Sequence, residues 1–199
     1  MNTLDFEIIP SPSSNDHQIR FLVDGADWLG DRYLGIDPPA FFALNDLVSG
    51  DGRLLIGRCR CGCPGCDDYF VNVERTEFKV GWVSPDRKPV EFIKEKYDSV
   101  ISAARADTSW EDTNRTAERM ISQVFIDAST RDGYKFEWAS ARVTPKTMTL
   151  SFSRNGVQKL FKFRWDEKSV EDALISARQS YSEITGQGAP GAKTGKNGS

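Results

Sequence analysis

A chain of 199 residues with 39% hydrophobic residues, 12 Phe and 5 Trp has the apolar mass for one full core or two small layers, which excludes a disordered polymer. No apolar run reaches the roughly eighteen residues of a membrane-spanning helix. The net charge of −3 is unevenly spread: residues 1–52 hold nine acids against two Arg, and residues 131–168 hold nine Lys or Arg against four acids.

The start, Met1-Asn2-Thr3-Leu4-Asp5, has neither the basic region nor the apolar core of a secretory leader, so the expected location is the cytoplasm. His17 is the single histidine, in a polar stretch that reads as a loop or strand start. Nucleophile–His–acid triads and His-rich metallohydrolase sites are thereby close to excluded.

Leu4 to Ile8 alternates as a first strand, and Ile19 to Val23 reads as its antiparallel partner. Residues 26–37 are irregular, with Trp28, Leu29 and Tyr33 expected to tuck under the sheet. Asp24, Asp27, Asp31 and Asp37 lack the spacing of a calcium loop and read as turn and cap residues. Pro38 to Val48 predicts a short helix with Phe41, Leu44, Leu47 and Val48 on one side.

Arg53 to Arg58 predicts a strand leading into the cysteine-rich loop. Tyr69 to Glu74 and Glu77 to Val83 then predict a hairpin with Val71, Val73, Val80 and Trp82 inward. Helices are expected over about 94–106 and from Thr113 or Asn114 to Phe125, as a helical hairpin across Asp107 to Asp112. Residues 134–165 read as a three-stranded meander. Its aromatic face would carry Tyr134, Phe136, Trp138, Met148, Leu150, Phe152, Phe161, Phe163 and Trp165, with polar residues opposite. A last helix runs from Ser169 to Gly186, and residues 187–199 read as a disordered tail. The fold class is α+β: antiparallel sheet packed by about four helices, in a single domain over 1–186 with a possible subdivision near 107–113.

All four cysteines lie in Cys59-Arg60-Cys61-Gly62-Cys63-Pro64-Gly65-Cys66. If the chain stays extended, Cys59, Cys61 and Cys63 project from one side, and Cys63-Pro64-Gly65-Cys66 has the two-residue spacing of zinc knuckles. Cys59, Cys61, Cys63 and Cys66 are therefore candidate ligands of one structural zinc ion. Because the four lie within eight residues, such a site would staple a loop rather than join distant segments. Three alternatives stay open: bystander thiols, disulfides, and a redox pair at Cys63 and Cys66. The last needs a helix N-terminus, whereas a strand pattern follows Cys66.

Cys61-Gly62, Gly65-Cys66, Val71, Val73 and Trp82 together resemble short uncharacterised bacterial proteins with a Cys-Gly, Gly-Cys loop followed by a hairpin ending in Trp. The resemblance spans residues 55–83, implies a bacterial intracellular setting and brings no catalytic residue. Cys63 stands where that pattern has a polar residue.

Glycine-rich phosphate loops are absent, since Gly50, Gly52 and Gly57 precede no helix. The expected function is a non-enzymatic binding module, of immunity type, that meets another protein through its acidic N-terminal part. A zinc-stabilised nucleic-acid binder using Lys135, Lys159, Lys162 and Arg164 is the alternative. An enzyme whose acid/base carboxylates meet only in the fold is the second alternative.

Overall fold

Antiparallel pairing of alternating strands builds three sheets, seen in a computed structural model that describes residues 1–12, 14–45, 52–61, 63 and 65–189. The chain divides into two compact units, Met1–Trp110 and Glu111–Ser199, and the division falls within the 107–113 stretch. Each unit has its own hydrophobic cluster. The α+β class is the observed one, with four helices and a cysteine-rich loop between two strands.

In the N-terminal unit β1 (Leu4–Pro10) pairs with β2 (His17–Val23), which continues to the two-residue β3 (Ala26–Asp27). A five-stranded sheet runs in chain order: β4 (Tyr33–Leu34), β5 (Gly52–Cys59), β6 (Asp68–Arg75), β7 (Lys79–Ser84) and β8 (Arg87–Ile93). The period-two pattern holds on β6 and β7, where Val71, Val73, Val80 and Trp82 are all buried. Helix α1 (Pro38–Leu44) buries Phe41 but leaves Leu44 60% exposed, so the predicted apolar stripe holds only at Phe41; Leu47 and Val48 lie outside the described residues.

Trp82, with no exposed surface, is the hub of this core. Phe21, Trp28, Phe92 and Tyr97 meet it edge-on with ring centroids 5.4–6.1 Å away, and its indole N–H donates to the Tyr97 hydroxyl at 3.4 Å. Edge-to-face contacts of this kind add about 0.5–1.5 kcal/mol each to the area they bury. Tyr97, Ile101 and Ala104 of α2 (Lys94–Ala106) close the cluster. Trp28, Leu29 and Tyr33 are buried, as their size demands. Their irregular segment is held by the buried Arg20, which pairs with Asp27 and donates to the carbonyl oxygens of Gly30 at 2.6 Å and Tyr33 at 2.7 Å.

In the C-terminal unit α3 (Thr113–Phe125) is capped by Asp112, whose carboxylate accepts from the Arg115 backbone N–H, so the cap is one residue before Thr113 and two before Asn114, the expected starts. The two helices expected as a hairpin fall in different units: α2 buries its stripe in the first core and α3 in the second. Strands β9 (Lys135–Thr144), β10 (Thr147–Arg154) and β11 (Val157–Arg164) make the meander, and α4 (Val170–Thr185) runs from the Ser169 cap to a left-handed Gly186. One sheet face packs Met148, Leu150, Phe152 and Ala139 against α3 and α4.

Two irregularities of β9 depart from simple alternation. Ser151 pairs with Trp138 but Phe152 pairs with Phe136, so Glu137 bulges out and Trp138 moves to the face opposite Phe136. Trp138 is therefore 37% exposed on the polar face and not part of the aromatic one. Trp165 follows β11 and is buried, its indole N–H donating to the Ser169 carbonyl at 3.1 Å. Further along, three β9 residues lie opposite one of β10, and the buried Glu118 carboxylate of α3 accepts the Ala141 N–H there at 2.7 Å while bonding Ser140 and Arg142. Lys159 lies opposite Phe152 and so departs from the basic face. It donates to Asp132 at 2.7 Å, and this contact, with a bond from Thr130, holds the Asp132 carboxyl down at about 2. Of the expected tail, Ala189 packs against the second core, and residues 190–199 lie outside the described residues.

Replacing Trp82 with Ala is expected to cost about 3–5 kcal/mol, read from the urea midpoint of the N-terminal unit. A loss below about 0.5 kcal/mol, the upper range of an ordinary surface substitution, would show that the aromatic cluster is not its anchor.

Candidate metal centre

The cysteine loop is closed from both strands that carry it. Arg58 of β5 stands opposite Asp68 of β6, and the Cys59 N–H donates to the Asp67 carbonyl at 2.9 Å. Asp68 does double work here: one carboxylate oxygen takes the Arg58 guanidinium at 3.2 Å and the other accepts the Gly65 N–H at 3.1 Å. Gly65, at φ +76, sits in the left-handed region that a side chain disfavours, and the Cys66 N–H returns to the Cys63 carbonyl at 3.3 Å. The chain is thus bent so that Cys66 comes back over the end of β5.

The sulfurs of Cys59, Cys61 and Cys66 all lie within 4.8 Å of one another. Zn–S bonds of about 2.3 Å in a tetrahedron separate sulfurs by about 3.8 Å, so Cys66 can share one ion with Cys59 and Cys61 only once those two bonded sulfurs are reduced and part. Cys59 is half-buried at the strand end, while Cys61 and Cys66 are exposed. Within the group Cys59 and Cys61 are joined as a disulfide, and Cys63 and Cys66 are free thiols.

Of the four predicted ligands, three are brought together. Cys63 stays outside, exposed, its sulfur 3.8 Å from the Cys61 carbonyl. The reason is local: the strand ends at Cys59, so the alternation expected to place Cys59, Cys61 and Cys63 on one side does not extend through the turn. His17 is elsewhere, at the start of β2 with its ring 4.9 Å from that of Trp110. Among the described residues the metal-scale cluster contains sulfur ligands alone.

Below the loop Tyr33 and Tyr69 pack ring to ring at 4.8 Å, and the Tyr69 hydroxyl donates to Asp86 at 2.5 Å. Burial, reinforced by the Asp86 carboxylate, pushes the Tyr69 hydroxyl above its ordinary value, so it is a neutral donor across the physiological range. Asp68 is the positioning residue that sequence reasoning missed. Its only sequence signal is a carboxylate three residues after a turn glycine, a spacing suited to accepting that glycine's N–H.

Two chemical states are open to the cluster. As a disulfide, Cys59 and Cys61 carry no charge and make poor ligands. As thiolates, they and Cys66 form an anionic sulfur site for a soft or borderline cation. Comparisons with protein-family models, curated proteins and solved structures found no match.

Metal uptake is accordingly expected to follow the thiol state. Reduced protein, freed of reductant without air, should take up about one equivalent of zinc, and protein with the Cys59–Cys61 disulfide intact should titrate as two thiols and take up none. Zinc uptake unaffected by oxidation would show that these two sulfurs are not ligands.

Proposed function

We propose that this chain is a non-enzymatic binding module whose cysteine loop, in its reduced form, holds a structural zinc ion on Cys59, Cys61 and Cys66. The convergence of three sulfurs within 4.8 Å at the tip of the β5–β6 hairpin carries the reading. Sulfur-only ligand sets belong to structural zinc, whereas catalytic zinc keeps histidine or carboxylate ligands and an open position for water. Cys63, four residues after Cys59 and three before Cys66, is the nearest cysteine available to complete the sphere in the metal-loaded form.

Zinc here would supply no reaction step. It would tie the loop end to β5, a role that suits a hairpin tip whose ligands span eight residues and which has no second segment to clamp. Thiolates persist in reducing compartments, so a cytoplasm is the setting that suits this reading, as does the resemblance of residues 55–83 to short bacterial proteins.

Replacing Cys66 with Ser is expected to abolish zinc uptake and to speed hydrogen exchange at the amides of residues 59–69, with β9, β10 and β11 still protected. Equal loss of protection in both units would overturn the local-staple reading. Cobalt-loaded Cys63→Ser protein checks the fourth ligand: weaker sulfur-to-metal absorption with binding retained is the expected result.

A further inference from the structure

The bulge at Glu137 has placed an aromatic side chain on the charged face of the C-terminal sheet. Pairing puts Trp138 beside Ser151, Ser140 and Lys162 beside Thr149, Leu160 beside Ser151, Lys135 beside Ser153, and Arg164 beside Thr147. All of these side chains leave the sheet on the side away from the Met148, Leu150 and Phe152 row that α3 and α4 cover. Lys135, Lys162 and Arg164 are exposed, as are Trp138 at 37% and Leu160 at 47%.

Among the described residues none of these three cations has a carboxylate partner, in contrast to Lys159, which Asp132 takes. Glu137 is the one acid of β9, β10 and β11, and it is engaged by the Ser151 hydroxyl at 2.8 Å, which in turn accepts from the Gln158 amide at 2.9 Å. Thr149 and Ser151, in the middle strand, have no exposed surface, so the exposed atoms of this face belong to the flanking strands, Trp138, Leu160, Lys135, Lys162 and Arg164 among them.

An antiparallel sheet that presents an exposed indole among unpaired cations has the two elements single-stranded nucleic acid needs: a ring for a base to stack on and charges for the backbone. An acidic peptide would use the cations but leave the indole without a role. A duplex would keep its bases stacked on each other and out of reach of Trp138.

We propose that this face binds single-stranded nucleic acid, with Trp138 stacking on a base and Lys135, Lys162 and Arg164 contacting phosphates. The proposal names a partner for the binding module inferred above and rests on that reading, but not on its metal: a protein that holds zinc and ignores oligonucleotides would fail here alone.

The test is fluorescence anisotropy of full-length protein with a labelled oligothymidylate of about a dozen nucleotides. Saturable binding is expected, with log K falling against log salt at a slope of about −2, the value for three phosphate contacts on a single strand at about 0.7 each. Trp138→Ala should weaken binding about tenfold, within the range for loss of one base stack, and Lys162→Glu should weaken it and flatten the salt slope. Both positions are exposed, and circular dichroism of each variant confirms folding. No saturable binding at low salt overturns the proposal. So does binding that both variants leave unchanged, or a poly-glutamate peptide or duplex that binds as tightly as the single strand.

Discussion

The register between β5 and β6 is the constraint on which the cysteine loop depends. With Arg58 opposite Asp68 and Cys59 bonded back to Asp67, residues 60–66 must cross from one strand to its neighbour, a gap of about 4.8 Å, and cannot extend. The register is in turn anchored in the core. Gly57 lies at an irregularity of β5 where a Cβ would come within 2.6 Å of a Leu29 methyl, so any side chain there would have to push the Leu29 side chain aside. That segment is held by Arg20, which spends its guanidinium on Asp27 and two backbone carbonyls. A buried ion pair of this kind does little for net stability, but it specifies one path for a stretch with little regular structure.

The two units solve the same packing problem with different means. The first gathers aromatic rings around one tryptophan, where shape and edge-to-face geometry restrict how the strands and α2 can meet. The second lays two amphipathic helices on one face of a meander and uses a buried carboxylate, Glu118, to satisfy an N–H that the bulged β9 leaves without a strand partner. Each unit buries its own apolar surface, so a change at the cysteine loop is felt first by the strands that carry it.

Local sequence determined much of this protein. The longer strands from Leu4 to Trp82, the bounds of α2 and the Ser169 cap of α4 were legible because alternation, helical spacing and capping are properties of neighbouring residues, whereas the two-residue β3 and β4 lie in a stretch that read as irregular. The cysteine motif was legible as a metal-scale cluster for the same reason: ligands within eight residues cannot be far apart.

Only the tertiary structure decided which sulfurs meet and which way Trp138 faces. Cys63 carries the same spacing signal as its neighbours, yet the loop's closure through Asp68 and Gly65 draws in Cys66 and leaves Cys63 outside. Tyr134, Phe136 and Trp138 alternate without fault in sequence, and one extra residue against β10 moves the last of them to the other face. A bulge is set by what the partner strand and the packed helices require, and a period-two pattern has no memory of its partner, so a single slip reverses every side chain beyond it.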